Sequence, residues 1–258
     1  MKPPERRTIL GVRVDATSYA DATERVIDWA KRGESCYVCL GAVNNIMEAR
    51  DSAEYRTVME QAALVTSDGM PLVWLLRQFG IPHATRVYGP DLTPQVMEAA
   101  EAAGVPIGFY GGTEPVLQRL LQVVNHRFPA LRVSYISAPP FRPLTQQEDE
   151  DTIRAINAAG VRILFVGLGS PKQDRWMHAH CHRIHAVMLG VGAAFDFLAG
   201  VKPQAPRWMQ CSGLEWLFRL LTEPRRLGPR YLRQNPRFLV LLLAHLLRTG
   251  FREYSRTR

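Results

Sequence analysis

The chain is poor in cysteine and lysine, and it contains no long apolar run. Of its 258 residues only four are cysteine, and only four of its 32 basic residues are lysine. The longest apolar run, residues 238–247, has ten positions and includes His245. A helix of that length cannot cross about 30 Å of hydrocarbon, so we expect no membrane-spanning segment. The opening MKPPERRTILGV lacks the apolar core of a signal peptide, and we expect no secretion signal.

The four cysteines indicate neither a disulfide framework nor a zinc site. Cys36 and Cys39 form a C-x-x-C pair inside an apolar run that is typical of a strand. Because side chains alternate between the two faces of a strand, positions three apart point in opposite directions and do not share one metal ion. Cys181 and Cys211 lack partners at zinc-binding spacing. We therefore expect four free thiols in a reducing cytoplasm.

Positive charge is concentrated in the last fifth of the chain. Residues 207–258 contain eleven arginines, no lysine and three acidic residues, which account for the whole net charge of +8. The preceding residues hold 21 basic and 21 acidic side chains and are neutral. This asymmetry predicts a basic appendage that contacts something anionic, such as phosphate, lipid headgroups or nucleic acid.

Short β-branched runs alternate with helical patterns over the first 200 residues, which predicts an α/β fold. The expected strands lie at residues 9–14, 36–40, 64–66, 107–110, 132–136, 163–166 and 187–189. The expected helices lie at residues 18–32, 53–62, 72–79, 93–103, 114–128, 146–158 and 172–182. Beyond residue 200 the pattern predicts helices at 212–221 and 236–251. We therefore predict a Rossmann-like layered α/β core at 1–200 and a helical, basic appendage at 201–258.

Two glycine turns have part of a dinucleotide-binding signal. GLGSPK at 167–172 and GVGAAF at 190–195 each carry G-x-G after a predicted strand. Both lack the third small residue and the acidic residue about twenty positions on that complete the signal. A nicotinamide- or flavin-dependent oxidoreductase therefore stays an alternative function.

The acidic run at residues 149–151 has the D-x-D spacing that holds a metal ion and a sugar nucleotide in many glycosyltransferases. Upstream, Thr145 and Glu148 have the spacing of a capping box. The run then falls in the first turns of a helix, where the helix dipole favours acidic side chains. We assign it to a solvated helix start, and we expect neither a metal site nor a cofactor.

Two aspartates follow predicted strands at the edge where α/β proteins bind ligands. Asp68 ends a strand in LVTSDGMPLVW, before a glycine and a mainly apolar helix. Asp196 has a similar place in GVGAAFDFLAG. The carboxyl ends of parallel strands form the ligand-binding edge of such sheets. Both aspartates are candidate functional residues, with a helix-capping role as the alternative.

Six motifs, taken in order, resemble one enzyme family. They are TSDGMPLVW, RVYGPDL, FYGGTEPV, VGLGSPKQDRW, GVGAAFDFLAG and APRWMQCSGLEWLFRLLTEPRR, and they span most of the chain. Together they resemble the WecG/TagA/CpsF glycosyltransferases. The resemblance implies transfer of a sugar from a UDP-sugar to a polyprenyl-diphosphate-linked saccharide in cell-surface polysaccharide synthesis. It also implies inversion at the anomeric carbon, no metal ion, and a place at the cytoplasmic face of the membrane.

The same resemblance implies roles for individual residues. The family's Asp-Gly pair falls on Asp68, which becomes the expected catalytic base. RVYG supplies Arg86 and PKQ supplies Gln173, both expected near the donor. The E-W-x-x-R-x-x-x-E-P-x-R pattern supplies Arg219 and Arg226. Because no metal is expected, these arginines would stabilise the charge of the leaving diphosphate, with the appendage closing over the donor as a lid.

Two departures from the family pattern leave positions open. A further family arginine falls at Pro229, and Arg230 follows one position later. The family's strand-end asparagine falls at Ala42, with Asn44 and Asn45 close behind. We therefore add four residues to the expected donor- or acceptor-binding set: Asn44, Asn45, Asp196 and Arg230.

The basic appendage predicts an anionic membrane surface as a further partner. The helix expected at 236–251 has leucines around its middle and arginines at both ends, a composition suited to the headgroup interface. Packing of this helix on the body is the alternative. We expect a peripheral protein at the cytoplasmic face of the bacterial inner membrane, and a homo-oligomer is compatible with the sequence.

Nucleic-acid binding by the basic tail is the second class of function. It requires aromatic side chains interleaved with arginines so that bases can stack on them. Trp216, Phe218 and Tyr231 lie at helical spacing, which favours packing between helices. We therefore expect no nucleic-acid partner.

Overall fold

The computed structural model describes residues 1–249 as strands and helices arranged in layers. The strands are β1 (Arg6–Ile9), β2 (Val12–Asp15), β3 (Cys36–Gly41), β4 (Leu64–Ser67), β5 (Ile107–Gly111), β6 (Val133–Ser137), β7 (Ile163–Gly167) and β8 (Val187–Gly190). The helices are α1 (Tyr19–Arg32), α2 (Val43–Asp51), α3 (Ala53–Gln61), α4 (Met70–Gln78), α5 (Gly89–Ala103), α6 (Glu114–Arg127), α7 (Gln146–Ala158), α8 (Lys172–His180), α9 (Ala194–Leu198), α10 (Arg207–Cys211), α11 (Glu215–Thr222) and α12 (Pro224–Thr249).

Six parallel strands form the central sheet in the order β4-β3-β8-β7-β5-β6. One face packs against α1, α5, α6 and α9, and the other packs against α2, α3, α4, α7, α8 and α12. Burial on both faces explains why the four inner strands β3, β8, β7 and β5 are nearly continuous apolar runs. The expected Rossmann-like layered core is confirmed. Because all six strands run in one direction, their carboxyl ends meet at a single edge of the sheet.

The strand predicted at residues 9–14 is wrong, because this segment forms part of a hairpin. Strands β1 and β2 pair antiparallel, with Ile9 opposite Val12. Leu10 and Gly11 between them have φ angles of 50° and 85°, which reverse the chain in two residues. The sequence pattern did not indicate this turn, because apolar Leu10 continues the apolar run through it. The other six predicted strands are confirmed, with ends that differ by no more than one residue.

The seven helices predicted in the first 200 residues are present, with ends shifted by up to four residues. Sequence reasoning missed the five-residue helix α9 and also α2, which begins with a Val-Asn-Asn run. Asparagine favours turns over helix interiors, so this run did not indicate a helix. Ile46, Met47 and Ala49 bury the inner face of α2 against the sheet.

The prediction of four free thiols is confirmed. Cys39 is buried on one face of the sheet, and Cys36 packs on the opposite face. All four cysteines are free thiols. Burial raises the pKa of Cys36 to about 12 and raises the pKa of Cys39 well above its usual range, so both thiols are protonated at neutral pH.

The segment after residue 200 is helical as expected, but the helix boundaries differ. The helix predicted at 212–221 begins later, at Glu215, and is α11. The helix predicted to start at residue 236 is the second half of α12, which begins at Pro224. Its predicted end at residue 251 lies outside the described residues. The division into domains at residue 200 stays a prediction.

Two prolines, Pro229 and Pro236, lie inside α12, although the sequence pattern predicted a helix that begins only at residue 236. Each proline removes one helical hydrogen bond, and the carbonyl four residues earlier loses its donor. Those carbonyls belong to Arg225 and Leu232, both of which are exposed, so water can bind them. Buried Leu227 adds packing that favours the continuous helix.

One face of α12 packs on the body of the protein. Phe238 is 2% exposed and belongs to the core on that side of the sheet. Arg237 donates from both terminal nitrogens to the Asp51 carboxylate of α2, at 2.5 and 2.7 Å. The opposite face of the helix exposes apolar side chains, namely Leu232, Leu239, Val240, Leu243 and Leu247. Within residues 1–249, no helix is both long and apolar enough to cross a membrane.

The packing of α12 predicts unequal effects for two neighbouring substitutions. Phe238→Ala should lower the free energy of unfolding by about 3–5 kcal/mol, because it leaves a cavity in the core. Leu239→Ala, at an exposed position, should change it by less than about 0.5 kcal/mol. Urea unfolding followed by circular dichroism measures both values. Equal unfolding midpoints for the two variants would contradict the packing of α12 on the body.

Candidate active site

The candidate site begins with Asp68, at the carboxyl end of edge strand β4. The Asp68 N–H donates to the carbonyl oxygen of Gly41 at the end of β3, at 2.8 Å. Gly69 follows as the N-cap of α4, so the chain turns from strand to helix at this point. The Asp68 side chain is 23% exposed and therefore remains within reach of a ligand.

Arg86 lies beside Asp68 and makes four contacts there. Its Nε donates to the carbonyl oxygen of Asp68 at 2.5 Å, and its guanidinium stacks on the Tyr88 ring at 4.1 Å. Its Nη2 lies 3.5 Å from Oδ1 of Asp68 and 2.5 Å from Oε2 of Glu215. The sequence-predicted pair of Asp68 and Arg86 therefore forms one local group.

Helix α11 brings two further charges to this group. The turn before it contains Gly213, with φ of +74°, where a Cβ would lie 2.7 Å from Cη2 of Trp74. Only glycine allows this close approach of the turn to α4. Glu215 and Arg219 then lie one helical turn apart, with Arg219 Nε 3.4 Å from Glu215 Oε1. The guanidinium of Arg219 also lies over the Phe197 ring, at 5.3 Å.

Burial and the neighbouring charges shift the pKa values of Asp68 and Arg86. Burial raises the pKa of Asp68 to about 6, against the lowering effect of Arg86 and Arg219 and with a further rise from Glu215. Burial disfavours the charged form of Arg86, but Asp68 and Glu215 raise its pKa above its usual value. A carboxyl group that titrates near neutral pH beside two permanent cations is well suited to accept a proton.

Gln173 joins the two glycine turns at the carboxyl ends of β7 and β8. Its side chain is buried, and its Oε1 accepts hydrogen bonds from the N–H groups of Gly169 and Gly192, at 3.1 and 3.0 Å. Gln173 therefore sets the shape of both turns. Direct contact with a donor stays a prediction for this residue.

Asn45 lies in a buried polar cluster under the start of α2. Its Nδ2 donates to the Tyr55 hydroxyl and to Ser170 Oγ, both at 2.8 Å, and lies 3.2 Å from Asp174 Oδ2. Its Oδ1 accepts from the Ala42 N–H at 3.1 Å. These contacts give Asn45 a structural role. Neighbouring Asn44 is half-buried in the first turn of α2, and ligand binding by either asparagine stays a prediction.

Asp196 and Arg226 are linked through a chain of ion pairs. Lys202 Nζ lies 3.2 Å from Asp196 Oδ2 and 3.4 Å from Glu223 Oε1. Glu223 in turn accepts a hydrogen bond from Arg226. This chain connects α9 with the start of α12. Roles of Asp196 and Arg226 toward a substrate stay predictions.

Arg230 lies one step further along α12. Its guanidinium lies over the ring of Tyr231 at 5.4 Å, and Tyr231 meets the edge of Trp216 on α11. The Arg230 Nε is buried and has no hydrogen-bond partner in the described structure. The contact between Tyr231 and Trp216 is the packing role that the helical spacing predicted.

The acidic run at residues 149–151 is engaged in local contacts. Thr145 and Glu148 form the predicted capping box at the start of α7. Asp149 lies 3.0 Å from His180 Nε2, and Asp151 accepts from Arg154 at 2.6 Å. Among residues 1–249, no three His, Cys, Asp or Glu side chains are grouped so that they could hold a metal ion.

The structure thus brings Asp68, Arg86 and Arg219 together and adds Glu215, which sequence reasoning missed. Its signal was present, because Glu215 opens the E-W-x-x-R pattern and lies four positions before Arg219. An acid at this spacing stabilises a following arginine on a helix. Because the pairing with Arg219 is enough to explain an acid at this position, the pattern did not indicate the contact of Glu215 with Arg86.

Comparison with known proteins agrees with the six motifs. The model of the Glycosyl transferase WecG/TagA/CpsF family matches residues 7–252. A relative from Bacillus spizizenii is named N-acetylglucosaminyldiphosphoundecaprenol N-acetyl-beta-D-mannosaminyltransferase. It is 28% identical over 199 residues, which cover 77% of this chain and 75% of the relative. The chain therefore belongs to the WecG/TagA/CpsF family of glycosyltransferases.

Proposed function

We propose that this glycosyltransferase moves a sugar from a UDP-sugar to a polyprenyl-diphosphate-linked saccharide, with inversion and without a metal ion. The name of the Bacillus relative, an N-acetylmannosaminyltransferase acting on a lipid-diphosphate-linked sugar, supports these substrate classes. The observation that carries the proposal is the Asp68 carboxylate flanked by Arg86 and Arg219 at the carboxyl edge of the sheet.

In the proposed reaction, an acceptor hydroxyl attacks the anomeric carbon of the donor and its proton passes to an oxygen of Asp68. The bond from the anomeric carbon to the β-phosphate oxygen breaks, and its electron pair stays on the departing diphosphate. Arg86 and Arg219 bind that diphosphate through charge-assisted hydrogen bonds. A single displacement with one base places the new bond on the opposite face of the sugar.

The remaining predicted residues have supporting roles in this proposal. Gln173 holds the two glycine turns that border the donor, and Asp196 lies on the helix that follows the second turn. Arg226 is 58% exposed and pairs with Glu223, and in this proposal it reorients toward the diphosphate. Arg230, with its unsatisfied Nε, is the next cation along the helix.

Replacing the proposed base tests the mechanism directly. Asp68→Asn should lower the transfer rate at saturating substrates by about 10²–10⁴-fold, because the amide does not accept the hydroxyl proton. UDP binding should remain largely intact, since both arginines are retained. Transfer assays and titration calorimetry with UDP measure the two effects. Asp151→Asn, which removes an exposed acid on α7, serves as the control and should keep the wild-type rate.

A variant Asp68→Asn that kept more than about a tenth of the wild-type rate would exclude Asp68 as the base. Asp196 would then be the next carboxylate to replace, because it also lies near the carboxyl edge of the sheet.

The role of the arginines predicts resistance to chelation. Transfer should proceed at the same rate in excess EDTA as in Mg²⁺, because Arg86 and Arg219 carry out the charge stabilisation that a metal ion would otherwise provide. The rate of UDP release in the two buffers checks this expectation. Loss of turnover in EDTA that Mg²⁺ or Mn²⁺ restores would contradict it and would return attention to Asp149 and Asp151.

We further propose that the exposed apolar face of α12 contacts anionic lipids at the cytoplasmic face of the bacterial inner membrane. Leu239, Leu243 and Leu247 lie along one side of the helix and are between 60% and 79% exposed. Arg233 lies on the same helix and is also exposed. The leucines would enter the headgroup layer of the membrane, and the arginines would pair with anionic lipids. Both contacts would hold the protein beside its lipid-linked acceptor.

Substitution on the exposed face tests membrane contact without disturbing the core. The triple variant Leu239→Gln, Leu243→Gln, Leu247→Gln should lose most binding to phosphatidylglycerol vesicles in a sedimentation assay and remain folded. Phe141→Gln, at an apolar residue that is 88% exposed and far from α12 in sequence, is the control and should bind like the wild type. Undiminished binding of the triple variant would show that this face does not meet the membrane.

A further inference from the structure

Glu215 lies between the two arginines of the site but takes no part in the proposed chemistry. Its Oε2 is 2.5 Å from Arg86 Nη2, and its Oε1 is 3.4 Å from Arg219 Nε. The same Arg86 nitrogen is 3.5 Å from Oδ1 of Asp68. Glu215 and Asp68 therefore compete for one donor group, and Glu215 has the shorter contact.

Arg86 would stay beside Asp68 even without Glu215. Its Nε is fixed by the carbonyl oxygen of Asp68 at 2.5 Å, and its guanidinium stacks on Tyr88. A charge-assisted hydrogen bond between a guanidinium and a carboxylate is about 2.8 Å long. A small rotation of the guanidinium would therefore bring Nη2 into a close ion pair with the Asp68 carboxylate.

We propose that Glu215 is a positioning residue that holds Arg86 Nη2 back from Asp68 and so leaves the Asp68 carboxylate free to accept a proton. The inference rests on the proposed function, in which Asp68 is the base. A carboxylate that accepts a short hydrogen bond from arginine is a weaker base than one that does not. Because Glu215 belongs to α11, the base reaches full strength only while α11 lies on the body.

The charges that face Asp68 determine the direction of the expected effect. The charged and titratable groups around Asp68 come from the segment before α5, from α11 and from α1, and they are Arg86, Tyr88, Glu215, Arg219 and Tyr19. Burial raises the pKa of Tyr19 to about 12 and raises that of Tyr88 still higher, so both tyrosines are neutral near pH 6. Glu215 is the member of this set that raises the pKa of Asp68. Removing its charge should therefore lower that pKa.

The test is a carbon-13 NMR titration of aspartate carboxyl groups in the full-length protein without substrates. The Asp68 signal is assigned by its absence from Asp68→Asn. In the wild type it should titrate near pH 6, the value to which burial raises its pKa. In Glu215→Gln, which keeps the shape of the side chain, the midpoint should fall by about one pH unit. Binding of UDP should be no weaker than in the wild type, because both arginines remain.

Glu48→Gln is the matched control, since Glu48 forms a similar half-buried pair with Arg175 at 2.8 Å. Its Asp68 midpoint should equal that of the wild type. If circular dichroism shows that Glu215→Gln does not fold, the same titration is carried out on Glu215→Asp. Its shorter side chain releases Arg86 and keeps the charge. That variant should show a smaller fall in the midpoint.

An unchanged or raised Asp68 midpoint in the folded Glu215 variant would overturn the inference. Weaker UDP binding in Glu215→Gln would also overturn it, because Glu215 would then serve to hold the arginines for the ligand. Failure of the proposed function gives a different result, which is substantial transfer activity in Asp68→Asn.

Discussion

The network of Asp68, Arg86, Glu215 and Arg219 is the constraint on which the candidate site depends. It joins two carboxylates and two guanidinium groups, each no more than 28% exposed. A charge in such a place is costly unless an opposite charge pairs with it. Removal of α11 would take the Glu215 carboxylate away from Arg86 and leave Asp68 as the carboxylate beside its guanidinium. Helix α11 is therefore part of the candidate site.

The backbone around this network makes the close approach of α11 to the body feasible. Gly213 lets the turn before α11 lie against Trp74 of α4, in a space that a Cβ would fill. At the ends of β7 and β8, Gln173 links the turns of Gly169 and Gly192 by accepting a hydrogen bond from each. The parallel sheet collects these features at one edge, because all its strands end there.

Helix α12 connects the site with the proposed membrane surface. It contacts α11 through Trp216 and Tyr231, and it is fixed to the body by Phe238 and by the pair of Arg237 with Asp51. Its other face carries exposed leucines. In the proposed function, α12 holds the protein beside its lipid-linked acceptor. By packing on α11, it also supports the helix that carries Glu215, the residue proposed to keep Asp68 basic. This arrangement fits a glycosyltransferase of the WecG/TagA/CpsF family, to which the chain belongs.

The sequence by itself determined the layered α/β core and the basic character of the last fifth of the chain. Buried parallel strands are continuous apolar runs, and their signal is local. The motifs also selected Asp68, Arg86 and Arg219, which the structure brings together. Local patterns failed where a turn contained an apolar residue, as at Leu10, and where packing kept a helix continuous through prolines. Only the tertiary structure decided that Glu215 meets Arg86, which is 129 positions away, because the need to neutralise a buried charge leaves no periodic trace in the chain.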